Sequence, residues 1–241
     1  MEKNTWLEFI RDLEISNIRN FLRTTKIKRI LEIGGKNGFL AEILKNDGYE
    51  IDSVDINPEP GNFLVRKMNA ERLEFKDEQF DLVFSSQVIA HIKNKNKVFC
   101  EINRVLKKDG IIIHLVPSTW WSILTNFWHY ILLYKLISKN NISSSNMEKK
   151  IENNEKFKIK KLKNYLFLHP LGTEKSFIVE IFKFRKKVWK KFFEQHNYQI
   201  IKISNGPITY TGFGIFKNKG VNTRIKFSKF FPSSYVFYLK R

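Results

Sequence analysis

The sequence predicts an α/β fold, a doubly wound and mostly parallel sheet with helices on both faces. Three observations predict it. The first is one strand, Gly-rich loop, helix and strand in immediate succession over Ile30 to Asn57. The second is a pair of short, continuous apolar runs, Phe80 to Ser86 and Ile111 to Val116, of the kind buried in the middle of a parallel sheet. The third is that segments with helical spacing stand between these runs, which is the alternation that builds βαβ units.

In chain order, residues 3–23 place Trp6, Phe9, Ile10, Leu13 and Phe21 at near-helical spacing. That predicts an amphipathic helix that caps the sheet or covers the ligand site. Ile30-Leu31-Glu32-Ile33 has the length of a buried strand, and Gly34-Gly35-Lys36-Asn37-Gly38 is turn chemistry. Phe39, Leu40, Ile43 and Leu44 then recur at helical spacing, and Gly48 takes the place of a C-terminal cap. The next strand, Ile51 to Ile56, carries Asp55 near its end. This is the logic of nucleoside recognition. Glycines let the backbone come close to a ligand, a helix N-terminus offers free N–H groups, and a carboxylate about 20 residues on can accept both ribose hydroxyls.

Asn57-Pro58-Glu59-Pro60-Gly61 stops any helix at once, so the next crossover is short or non-helical. Met68 to Phe75 leads through a turn at Lys76-Asp77-Glu78-Gln79 into the strand Phe80 to Ser86. Val98 to Leu106 reads as a helix with Phe99, Ile102, Val105 and Leu106 on one face. Lys107-Lys108-Asp109-Gly110 reads as a turn before the strand Ile111 to Val116.

Glu32-x-Gly34-x-x-x-Gly38 resembles motif I of class I S-adenosylmethionine (SAM) methyltransferases, usually E/D-x-G-x-G-x-G, with Lys36 where that pattern has its middle glycine. The order from Leu31 to Pro117 is similar to the methyltransferase-11 group. The matching text is Asn69-Ala70-Glu71-Arg72-Leu73-Glu74-Phe75, Phe80-Asp81-Leu82-Val83-Phe84-Ser85-Ser86, His91-Ile92 and Arg104-Val105-Leu106-Lys107-Lys108-Asp109-Gly110. The resemblance implies a Rossmann-like sheet of seven strands with the last one antiparallel, and SAM as cofactor. It implies that Glu32 and the backbone of Gly34, Gly35, Lys36 and Gly38 hold the methionine part. Asp55 would accept the ribose hydroxyls, and Ile56 would pack on the adenine. The amide oxygen of Asn69 would accept the adenine amino group, the N–H of Ala70 would meet the ring, and Ser85 and Ser86 would line the pocket near the methyl group.

Past Pro117 the chain must choose the acceptor. Pro117 to Ile137 carries no charged residue before Lys135, yet Ser118, Thr119, Ser122, Thr125, Asn126 and His129 make it too polar for a membrane span. It reads as a lid helix whose aromatics wall the substrate. A helix lying on a membrane surface and a dimer interface are the alternatives. Ser138 to Asn164 is rich in Lys, Asn and Ser and reads as a basic loop. Thr173 reads as an N-cap and Glu174 to His196 as one helix, with Phe177, Ile181, Phe184, Val188 and Phe192 on its apolar face. Tyr198 to Ser204, Thr209 to Phe216 and Ser234 to Leu239 read as extended pieces. The expected division is a SAM-binding core over 1–117, a lid and insertion over 118–172, and a helix with the last strands over 173–241, completing the same sheet.

The second half also resembles, more loosely, methyltransferases of surface-glycan biosynthesis, through Trp120-Trp121, His169-x-x-Gly172 and Tyr210-x-Gly212. Trp120, Trp121 and Tyr210 are therefore expected to bind substrate. A hydroxyl acceptor benefits from a base, and His91 and His169 are the candidates, with Glu174 as an outsider. No H-E-x-x-H or Cys/His cluster is present, so no metal is expected.

The net charge of +19 favours anionic partners, although a composition in which Lys is the ordinary surface residue produces the same balance. The lone Cys100 fits a reducing cytosol, and the polar start MEKNTWLEF has no secretory pattern. The expected function is O-methylation of a small or glycan-linked, anionic acceptor in surface-polysaccharide synthesis. It would take place in the cytoplasm or at the inner face of the membrane, with peripheral contact through 118–137. An RNA methyltransferase and a non-catalytic, membrane-associated protein of this fold are the alternatives. The absence of an N/D-P-P-Y/F motif and of an RNA-binding module argues against nucleic acid, and the oligomeric state is open.

Overall fold

The computed structural model describes residues 3–61, 63–139 and 170–241. Its centre is one seven-stranded sheet. Five strands come from the first half of the chain: β1 (Arg29–Ile33), β2 (Glu50–Asp55), β3 (Val65–Lys67), β4 (Phe80–Ser86) and β5 (Leu106–Pro117). β6 (Gln199–Asn205) and β7 (Ser234–Lys240) come from the end. The order is β3-β2-β1-β4-β5-β7-β6, with β7 antiparallel to both neighbours. β5 and β7 therefore run in opposite directions, Ile111 opposite Lys240 and Ile113 opposite Tyr238, while β1 and β4 run parallel, Ile30 beside Leu82.

Side-chain alternation divides the core between two faces. On one face Ile30, Leu82, Phe84, Ile113, Leu115, Val236 and Tyr238 are covered by α1 (Lys3–Arg23) and α2 (Phe39–Asn46). On the other, Leu31, Val83, Ile112, Phe237 and Leu239 are covered by α3 (Lys95–Val105) and by Trp189 and Phe193 of a later helix. Strand order reverses between β1 and β4, so the loops leaving their carboxyl ends diverge and open a crevice there. That is where open α/β sheets bind ligands.

Several elements differ from expectation for local reasons. The three-residue β3 carries no apolar run that would reveal it. α3 begins three residues before Val98 because the Asn94 side chain caps it, accepting from the N–H of Lys97. Lys107 to Gly110 is absorbed into β5 as an irregularity, since Phe80 pairs with Leu106 but Leu82 with Ile111. The long helix expected from Glu174 is two: α5 (Phe177–Lys183), capped by Ser176 rather than Thr173, and α6 (Lys186–Gln195). The break falls where the carbonyl of Phe184 accepts the N–H of Thr119, at the start of α4 (Thr119–Lys139). The buried residues of α6 are Trp189 and Phe193, and Val188 is exposed. Thr209 to Phe216 ends in a short helical turn, α7 (Phe213–Phe216), followed by α8 (Val221–Phe227). No described helix is long and apolar enough to cross a membrane.

Candidate active site

The β1–α2 loop is built so closely that Gly34 and Gly35 leave no room for a β-carbon. Gly34 has φ +88, and a β-carbon there would stand 2.1 Å from Val88 Cγ2. At Gly35 it would stand 1.9 Å from Ser53 Oγ and 2.8 Å from Glu32 Oε2. The N–H groups of Gly34 and Gly35 both donate to Val54 O, which fastens the loop to the end of β2. Lys36 adopts φ +35, a region that glycine enters freely and lysine seldom does. Its N–H donates to Asp55 Oδ2 at 3.2 Å and its carbonyl accepts from the N–H of Glu59. Gly38, at φ +70, caps α2. Beneath the loop, Glu32 is 1% exposed and accepts from Ser53 Oγ at 2.6 Å. Burial pushes its carboxyl up to about 7, against the opposing pull of the Ser53 hydrogen bond and of Arg11.

A cavity of about 310 Å³ opens at the carboxyl ends of β1 and β2. Gly34, Asp55, Ile56, Asn69, Ala70 and His91 all line it, so six of the sequence-predicted residues meet in one place. Asp55 Oδ1 accepts from the N–H of Asn57 at 2.7 Å and Oδ2 from Lys36. Each oxygen keeps acceptor capacity for a ribose hydroxyl. Ile56 is 66% exposed against the cavity, an apolar face with room for a flat ring. Asn69 Oδ1 accepts from the N–H of Glu71 at 2.9 Å, which holds the Asn69–Glu71 turn in place and leaves one lone pair. Loss of hydration, with the nearby charge of Lys95, lowers the His91 imidazole from its ordinary value, so it is neutral at pH 7.

Ser86, expected to line the pocket, belongs to a buried polar cluster that the sequence reading did not find. Arg11 Nη1 donates to Glu14 Oε2 at 2.6 Å and to Ser86 Oγ at 2.5 Å, and Ser86 Oγ donates to the same Glu14 oxygen at 2.8 Å. Glu14 is 1% exposed, and its second oxygen, Oε1, has no partner. Gln87 follows at φ +62, with both atoms of its amide buried and unpartnered. Tyr210 belongs to the same neighbourhood. Burial, then the charge of Glu14, raises its phenol and keeps it protonated. A signal for Glu14 was present in the sequence: Ile10, Glu14 and Ile18 are spaced by four, which puts an acid on the buried stripe of α1.

Three expected site residues lie elsewhere. Ser85 is fully buried within the sheet, its hydroxyl 2.7 Å from His114 Nδ1 on the paired strand. The alternation that turns Ser86 toward α1 turns Ser85 the other way. Trp120 packs edge-on against Phe231, 4.6 Å between ring centres, and Trp121 packs on the core. They anchor α4 and do not line the cavity. His169 lies outside the described residues.

The sheet order, the tight β1–α2 loop and the carboxylate at the tip of β2 together make an α/β cradle at the carboxyl ends of the strands. Residues 31–114 match the family model described as "Methyltransferase domain". The chain is similar to a ubiquinone biosynthesis O-methyltransferase of Azorhizobium caulinodans, 30% identical over 44% of this chain and 48% of that protein. It is similar also to the ubiquinone/menaquinone biosynthesis C-methyltransferase UbiE of Xylella fastidiosa, 30% identical over 49% and 56%. The chain thus spans about half the length of the curated relatives it matches. A SAM-dependent methyltransferase from Archaeoglobus fulgidus shares the fold, with TM-score 0.55 and 16% identity over 96% of this chain and 94% of that one.

Proposed function

We propose that this protein transfers the methyl group of SAM to a hydroxyl oxygen of a small organic acceptor. The observation that carries the reading is the cavity itself. A cradle in which a β-carbon has no space, a carboxylate at the tip of β2 and an uncovered isoleucine fit, in that order, an amino-acid tail, a ribose and an adenine. Bound SAM would supply an electrophilic methyl on its sulfonium. The protein's share is alignment, worth roughly 7–11 kcal/mol when reactants are well held.

Asp55 would hold the ribose hydroxyls and Ile56 would pack on the adenine. The half-buried Arg11 and the buried Glu14 would offer one charge of each sign to a zwitterionic amino-acid end, with Glu14 Oε1 free to accept from its ammonium. His91, neutral on the cavity wall, would take the acceptor's proton on an imidazole nitrogen. The names of the two relatives carry oxygen and carbon acceptors in quinone synthesis. The surface-glycan acceptor expected from the sequence draws no support from them.

The test is transfer of tritium from methyl-labelled SAM to a panel of catechols, alkyl alcohols and sugars, with Asp55→Ala as the background. Label above background in a hydroxyl class, reduced by His91→Ala, supports the proposal. No acceptor class labelled above the Asp55→Ala level would sink it.

A further inference from the structure

A second cavity, about 460 Å³, lies between α4 and the segment that runs from Thr209 through α8. Its size is that of a small-molecule site. Leu124, Phe127 and Trp128 of α4 form one wall, and Phe216 and Phe227 the other. Five polar residues interrupt this apolar lining, Thr209, Thr211, Thr223, Lys219 and Arg224, and three of them bear on a ligand. Thr211 is 6% exposed, and its Oγ1 is buried without a partner. Lys219 also lines the cavity and is exposed.

The third is Arg224. Its Nε donates to Thr209 O at 2.8 Å, Nη2 to Thr211 O at 2.8 Å and Nη1 to Lys217 O at 3.2 Å. It lies 4.7 Å over the Trp6 ring. Among the described residues no carboxylate pairs with it, so a half-buried cation stands without a counter-charge. Three of its five N–H groups are used, and two remain for a ligand.

We propose that this cavity binds an amphipathic anion, an apolar chain or ring system that ends in a phosphate or carboxylate. The apolar walls take the body. The remaining Arg224 N–H groups and the Lys219 ammonium take the anionic oxygens, and the Thr211 hydroxyl gains the partner it lacks. Tyr210, between Thr209 and Thr211 of this cavity's lining, belongs to the Arg11–Glu14 neighbourhood. One short extended stretch therefore separates the two sites. The assignment concerns binding and stands whether or not methyl transfer takes place.

The test is calorimetry with decyl phosphate below its micelle concentration, beside decanol and inorganic phosphate. Decyl phosphate is expected to bind, and more tightly than either half alone. Leu124→Trp, which fills the cavity, should abolish binding. Arg224→Gln should weaken it about tenfold to a hundredfold, and Lys219→Gln about threefold. S-adenosylhomocysteine affinity, unchanged in all three, shows that the fold is intact. Should Arg224→Gln fail to fold, Leu124→Trp and Lys219→Gln decide. Co-sedimentation with phosphatidylglycerol vesicles that Leu124→Trp removes would identify the ligand as a membrane lipid, whereas binding in solution alone identifies a free amphiphile. No binding of decyl phosphate, equal binding by Leu124→Trp, or decanol or phosphate binding as tightly, would overturn the proposal.

Discussion

Replacing Glu14 with Gln tests the proposed contact between this buried carboxylate and the amino-acid end of the cofactor, which no sequence motif marks. The substitution keeps the shape of the side chain and an acceptor for Ser86, and it removes the charge. Glu14 Oε1 is buried and unpartnered, so a cofactor ammonium would find a desolvated carboxylate oxygen ready to accept. A hydrogen bond to a charged group is worth about 1.5–3 kcal/mol, which is roughly ten- to a hundredfold in affinity. The assay is calorimetric titration with S-adenosylhomocysteine, which carries the amino-acid end, and with 5′-methylthioadenosine, which lacks it. Glu14→Gln is predicted to weaken the first by that factor and to leave the second within about twofold. Arg11 would keep Ser86 as a partner, so the variant should still melt cooperatively. An equal loss for both ligands would mean that Glu14 only supports the fold. No loss for either would mean that it does not face the cofactor.

Four further outcomes follow from the geometry. Gly34→Ala meets Val88 at 2.1 Å in a left-handed backbone, and it should lower the melting temperature and abolish S-adenosylhomocysteine binding. Glu32 titrates near 7 in the fold against an ordinary 4.5, so between those values the folded state holds more protons than the unfolded one. Stability should then fall as pH rises from about 4.5 to 7, by about 3 kcal/mol, and level off above; Glu32→Gln should flatten that slope in urea titrations. Arg104 donates to the carbonyls of Leu73 and Phe75 and pairs with Glu101 and Asp77, fixing the segment that follows Asn69. Arg104→Ala should weaken S-adenosylhomocysteine several-fold and speed amide exchange over residues 69–77. Phe84→Ala empties a fully buried position on the α1–α2 face and should cost about 3–5 kcal/mol in denaturant unfolding, with cofactor affinity in the folded protein unchanged.

The central strands could be read from the sequence because burial on both faces demands uninterrupted apolar runs, and β4 falls on Phe80–Ser86 as expected. β3 could not, because three residues at a sheet edge need no such run. Gly34, Asp55 and Asn69 carry their roles in their residue types, since a left-handed turn, an acceptor at a strand tip and a side-chain-capped turn each favour few alternatives. Ser85 and Ser86 show the limit. Adjacent serines in one strand point to opposite faces, and only the pairing with His114 and the cover by α1 decide which one meets Arg11 and Glu14. Glu14 could be read as buried from its place on the apolar stripe of α1, but what it and Arg11 meet could not. They lie on a helix that the sequence reading treated as cover, and the distance in sequence from Glu14 to Ser86 gives no hint of contact. The split between α5 and α6 was likewise unreadable, because the carbonyl of Phe184 bonds to Thr119, far earlier in the chain.

The most direct measurement is calorimetric titration of the wild type and Asp55→Ala with S-adenosylhomocysteine. Asp55 lines the cavity with both oxygens already oriented by backbone N–H groups, and it would accept a pair of ribose bonds. Micromolar binding to the wild type, weakened about ten- to a hundredfold in Asp55→Ala, is the predicted result. Wild-type protein that binds no S-adenosylhomocysteine, or binds it no better than Asp55→Ala does, would contradict the assignment of this cavity to SAM.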